Sequence, residues 1–171
     1  MQTELNNNDA RLSDFRNVFV KSNKDYFKSV IYGKNKESNI NEEYNFAGGI
    51  IVSSTDLNGI ITYANRKFCE ISGYDKDELI GSNHNIIRHP DMPHEIFKQA
   101  WDVLMEGKEW SGVIKNLRKD GKFYWVYSHI MPIMKNGQPI GYSAVRRPPM
   151  ESELNEAKEL YRDMIAKEIN I

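Results

Sequence analysis

Three β-rich runs near the C-terminal end constrain the fold more than anything else in the chain. Trp110 to Arg118, Lys122 to Met134 and Gln138 to Arg147 are rich in β-branched and aromatic residues, and they are joined only through Asp120-Gly121 and Asn136-Gly137. Asp-Gly and Asn-Gly connections of this kind predict type I′ hairpins, whose two central residues need positive φ. A three-stranded antiparallel meander follows. It cannot stand alone, because one of its faces must be covered by other side chains or by a ligand.

The preceding segment supplies the rest of a sheet and its cover. Gly48 to Ser54 reads as a strand, Asp56-Leu57-Asn58-Gly59 as a turn, and Ile60 to Ala64 as the hairpin partner. Short helical pieces then run from Asn65 to Ser72 and from Asp75 to Ile80. A longer helix is predicted from Pro93 to Gly107, with Pro early and Gly just past its end. Ile96, Phe97, Ala100, Trp101 and Leu104 share one of its faces. Strands with helices segregated to one side make an α+β domain with a five-stranded antiparallel sheet.

Flanking this domain (44–147) are an N-terminal amphipathic segment (1–32), a polar linker (33–43) and a C-terminal amphipathic helix (148–171). Leu12, Phe15, Val18 and Phe19 pattern the first segment; Leu154, Ala157, Tyr161, Met164, Ile165 and Ile169 pattern the last. Such stripes either fold back as caps or dock on a second copy or a partner's helices. With 23 basic against 24 acidic residues the formal net charge is -1, which gives no general attraction to nucleic acid. No run approaches the roughly 20 apolar residues a membrane span requires. The single cysteine, Cys69, excludes internal disulfides and multi-cysteine metal sites, and suits a reducing cytoplasm. Phosphate-binding and nucleophile motifs are missing, so the chain is read as a binding module and not an enzyme.

STDLNGIITYAN (Ser54 to Asn65), FCEISGY (Phe68 to Tyr74), DELIG (Asp77 to Gly81) and RKDGKFYWV (Arg118 to Val126) resemble the PAS family over Phe46 to Arg147. HNIIRHPDMP (His84 to Pro93), with its downstream helix and EWSGVIKNLRKDG (Glu109 to Gly121), is similar to the aerotaxis-receptor type of PAS domain. That resemblance implies a PAS fold, an FAD cofactor with FMN as the lesser alternative, and a cytoplasmic redox or energy sensor. The chain is similar to the stand-alone PAS component of bipartite energy-taxis systems. This implies a membrane-bound methyl-accepting transducer as partner, and the apolar stripes of the flanking helices point to a homodimer formed through them.

Seven residues are candidates for the cofactor site. Period-two alternation puts Trp110, Gly112, Ile114 and Asn116 on one strand face. An amide there either meets a ring edge of alternating carbonyls and N–H, as the resemblance implies, or is solvated near the turn. Trp101 either walls a flat ring or packs the core. Arg88 has the planar fork that phosphate oxygens accept, and His89 adds a donor; Asp91 is either a ligand contact or a helix N-terminal carboxylate. The resemblance ties all three to FAD binding. Asn65 either caps the following helix or touches the cofactor, and Asn85 is a similar candidate. His84, His89 and His94 lack the spacing of a helical metal pair; the PAS resemblance implies haem on a single axial histidine as an alternative. A cofactor-free interaction domain is the other alternative, favoured if Phe123, Trp125 and Tyr127 point inward.

Overall fold

The computed structural model describes residues 42–169. The N-terminal segment 1–32 and nearly all of the 33–43 linker lie outside the described residues. Five strands and four α-helices follow. They are β1 (Ile51–Asp56), β2 (Ile61–Ala64), α1 (Arg66–Ser72), α2 (Lys76–Leu79), a 3-10 turn (His84–Ile87), α3 (His94–Met105), β3 (Trp110–Leu117), β4 (Phe123–Lys135), β5 (Gln138–Arg147) and α4 (Glu151–Ile169). The strands form one sheet in the order β2-β1-β5-β4-β3, every neighbouring pair antiparallel. The α+β architecture expected from the element order is the one observed.

The two hairpins of the meander close differently. Asn136 and Gly137 both have positive φ, 52° and 76°, the type I′ geometry that Asn-Gly predicts. At the other turn only Gly121 is positive, at 90°. There Gly121 N–H donates to Arg118 O and Arg118 N–H to Lys122 O, so the loop is Lys119-Asp120-Gly121. This is a type I turn completed by a left-handed glycine, not the expected type I′ turn; one more loop residue turns the chain with a single positive φ. The Asp120 carboxylate fixes it by accepting from Lys122 N–H and from the Arg118 guanidinium.

Strand register decides which residues face the helices. Ile51 pairs with Arg146, Arg146 with Ser128, and Ser128 with Gly112. One step along, Ser53 pairs with Ala144, Ala144 with Ile130, and Ile130 with Trp110. This is the inner face, and α3 lies against it: the Trp101 and Tyr142 rings meet edge to face at 5.3 Å. Phe123, Trp125 and Tyr127 alternate onto the outer face. There α4 packs, with Tyr161 donating its hydroxyl to Val113 O and Lys158 Nζ standing 5.8 Å from the Trp125 ring centre. The C-terminal helix thus takes the capping arrangement. It is latched at its start by Arg147, which grips Glu153 at 2.7 and 2.9 Å while Glu153 also accepts from Met150 N–H.

Candidate functional site

The middle of the inner face carries small and polar side chains: Gly112, Ser128, Arg146, Ser53 and Ala144. Gly112 is required there, because the Trp110 indole lies where its Cβ would stand. Arg146, only 4% exposed, donates from Nη1 to Ser53 Oγ at 2.9 Å and from Nη2 to His84 Nε2 at 2.9 Å. An arginine cannot accept, so His84 Nε2 is the unprotonated ring nitrogen and Ser53 Oγ donates to it as well, at 3.0 Å. Burial, reinforced by the Arg146 charge, pulls the His84 pKa down to about 3. The ring stays neutral at physiological pH. Burial also lowers Arg146 to about 10, far above neutrality, so it remains a buried cation.

Two inner-face hydroxyls are enclosed without closing a hydrogen bond: Tyr124 OH and Ser128 Oγ. Tyr124 is paired across the strands with Asn116, and its hydroxyl lies beside that amide without bonding geometry. Burial raises the Tyr124 pKa, so it is a donor at neutral pH. A buried hydroxyl left unsatisfied costs roughly 1–3 kcal/mol, so such atoms mark places where a partner belongs.

The candidate residues separate into groups. Asn116 is 4% exposed on this inner face, and Trp101 stands against it on α3. Arg88 is also buried, at the rim: it forms a bridge with Asn116 and its guanidinium lies 3.7 Å from the centre of the Phe97 ring. His89 turns away. Its Nδ1 accepts from Asp91 N–H, and its ring meets Phe123 on the outer-face side at 6.0 Å. Asp91 is exposed and pairs with Lys115 at 3.4 Å. Asn65 takes the capping role: Oδ1 accepts from Phe68 and Val52 N–H, and Nδ2 donates to Ile50 O. Asn85 lies in the 3-10 turn, its N–H on the Asn83 side chain. Sequence reasoning missed Ser53, Tyr124, Ser128 and Arg146. The one available signal was Arg146 itself, a cation on the face of a strand otherwise alternating toward the core.

Residues 61–146 match the family described as PAS fold, and that match covers half the chain. The chain belongs to the PAS family. Its similarity to the aerotaxis receptor of Escherichia coli (strain K12) is 40% identity over 116 residues, covering 68% of this chain and 23% of the receptor. A nitrogen fixation regulatory protein of Klebsiella pneumoniae is 32% identical over 99 residues, covering 57% of this chain and 20% of that protein. The PAS chain thus spans about a quarter or less of these curated relatives.

Among solved structures, a PAS domain from Colwellia psychrerythraea matches at 30% identity with a TM-score of 0.53, over 58% of this chain and 86% of that one. The light-state LOV domain of the blue-light photoreceptor Aureochrome1 shares the fold at 22% identity, TM-score 0.55, over 71% and 91% of the two chains. The PAS resemblance read over Phe46 to Arg147, and its aerotaxis-receptor type read from His84 to Pro93, are borne out. No helix among the described residues is long and apolar enough to cross a membrane.

Proposed function

We propose that this chain is a flavin-binding PAS redox sensor that signals to a chemotaxis-type transducer. The observation that carries the reading is the inner-face set of Asn116, Tyr124, Ser128 and Arg146. Two of its hydroxyls lack hydrogen bonds, and their neighbours Gly112, Ser53 and Ala144 are small, with the Trp110 indole lying over Gly112. An amide, two hydroxyls and a guanidinium offer the mixture of donors and acceptors that the ring edge of a flavin presents in complement. Similarity to the aerotaxis receptor supports the choice of flavin, of energy taxis and of FAD over FMN, and Arg88 at the rim suits a phosphate of either flavin.

Each residue has a physical task. Arg146 would offer a positive charge to a bound flavin, and Ser53 and His84 fix the orientation of its guanidinium. Tyr124 donates from a hydroxyl that burial keeps protonated. Asn116 presents either its carbonyl or its amide N–H, so a neighbour that gains a proton can be answered by rotation of this one side chain. Trp101 and the flat Trp110 supply apolar walls. A bound flavin contributes one- or two-electron cycling. A rotated Asn116 changes the hydrogen bonds available to β3, and β3 carries Val113, the anchor of α4 on the opposite face. That route leads to a cytoplasmic partner, the membrane-bound transducer in trans, and homodimerisation would use the same flanking helices.

Haem is the weaker reading, because His84 Nε2 is committed to Ser53 and Arg146. A cofactor-free core is weaker as well, because Phe123, Trp125 and Tyr127 point outward. Purified protein is expected to be yellow and to release FAD on denaturation. Asn116→Ala and Trp101→Ala should each lose the cofactor while keeping the native far-UV circular dichroism. Protein that stays colourless after reconstitution with FAD would refute the reading.

A further inference from the structure

We propose that the groove between the second half of α4 and residues 90–94 is a docking site for an acidic protein segment that carries one apolar side chain. The proposal concerns a protein partner and stands whether or not the inner face holds a flavin.

The groove has a volume of about 480 Å³ and lies on the outer face of the sheet. Lys158, Tyr161, Arg162 and Ile165 line it from α4, at the three- and four-residue steps that share one helix face. Residues 90–94 form the opposite wall, and Lys115 and Trp125 come up from β3 and β4. Met92 and Tyr161 are buried, while Trp125 and Ile165 are half-buried, so the floor is apolar and still reached by water. Pro90 and Pro93 stiffen the wall, which then loses little freedom when something binds.

Charge singles this groove out. Around it the basic side chains are spent on neighbours: Lys115 on Asp91 at 3.4 Å, Lys122 on Glu42 at 2.6 Å and Arg147 on Glu153 at 2.7 Å. Lys158 and Arg162 are different. They stand one turn apart on α4, both exposed, and neither pairs with a carboxylate among the described residues; Lys158 meets the Trp125 ring, its Nζ 5.8 Å from the centre. The carboxylates that line the groove are already engaged, Asp91 by Lys115 and Glu168 by the Glu95 N–H at 3.1 Å.

Two uncompensated positive charges above an apolar floor suit a partner of opposite sign with something to bury. Exposed ion pairs are individually weak, so the apolar residue supplies the hold and the charges select the partner. An anionic membrane fits less well, because a flat surface does not reach Met92, and the exposed Glu159 and Asp163 beside the two cations repel it. A segment seated in the groove touches α4, β4 and residues 90–94 at once. Its grip therefore depends on where the last turns of α4 lie.

The test titrates the full chain with fluorescein-labelled Glu-Glu-Asp-Phe-Asp-Glu-Glu, and with the same peptide carrying Gly in place of Phe, followed by anisotropy. The Phe peptide should bind about 10-fold tighter than the Gly peptide, or more, as burial of the ring requires. Reversing both charges, Lys158→Glu with Arg162→Glu, should weaken the Phe peptide about 10-fold. The reversed protein should instead bind Lys-Lys-Arg-Phe-Arg-Lys-Lys, a gain that requires a folded groove. Failure of the wild type to bind the Phe peptide overturns the proposal, as do equal affinities for the two acidic peptides or for wild type and reversed protein. Phosphatidylglycerol vesicles that bind where the peptide does not would assign the charges to a lipid surface. A dimer seen by light scattering, lost on charge reversal and with no peptide binding, would assign the groove to a second copy. Either result also overturns it.

Discussion

Acidification should destabilise this fold through His84. Its Nε2 accepts from Ser53 Oγ and Arg146 Nη2, and its ring stacks on Phe68 at 5.6 Å. A proton on Nε2 would face two donors, one of them a guanidinium. Burial first and the Arg146 charge second lower the pKa from 6.5 to about 3. Between these values the unfolded chain binds a proton that the folded chain refuses, so stability falls as pH drops through 6.5 and the loss is complete near 3. Each pH unit inside the window costs at most about 1.4 kcal/mol. From pH 7 to pH 5 the sum is about 2 kcal/mol, and about 1–2 kcal/mol once the partial solvent contact of the ring is allowed for. Urea unfolding of wild type and His84→Gln at several pH values measures it. Carboxylates held low by ion pairs, such as Glu78 beside Lys119 and Glu153 beside Arg147, weaken both proteins equally on acidification and cancel in the difference. Parallel stability curves for the two proteins would show that His84 is not the group responsible.

Two further substitutions probe the two faces of the sheet. Tyr124→Phe removes a buried hydroxyl that closes no hydrogen bond, so the flavin-free protein should keep its stability within about 1 kcal/mol while flavin affinity drops; thermal unfolding and flavin titration check the two halves. Glu153→Ala breaks the Arg147 latch and removes the acceptor for Met150 N–H, so α4 should lose about 1 kcal/mol of local protection, seen as faster amide exchange in its first turns with β3 and β4 unchanged.

The parts of the fold written in local chemistry were readable from the chain. Asn136-Gly137 declared its turn because left-handed backbone at two successive positions demands those residues. Asn65 announced its helix because a short polar side chain before Phe68 has few better uses than a cap. Asn116 was legible for a related reason, an amide falling in phase with apolar neighbours. Less was readable where the determinant is long-range. Arg146 and Ser53 meet across 93 residues, and no spacing rule connects them to His84. Tyr124 and Ser128 looked like ordinary members of an alternating strand, since exposure of a hydroxyl to its neighbours is settled only by register. His89 and Asp91 illustrate the converse. A ten-residue block reads as one unit in sequence, yet its side chains radiate to different sides once Pro90 and Pro93 bend the backbone.

The outer surface of the meander is dressed with rings that meet positive charges: Lys115 over Phe123, Lys158 and Lys115 near Trp125, and Arg147 over Tyr127. Cations of this kind keep their heads hydrated while their stems cover the rings. Small slides of the final helix across this surface can trade one cation–ring contact for another, whereas full release would bare Val113, Ala157 and Tyr161 to water. The cheap movement is a graded shift along the sheet, and the costly one is detachment.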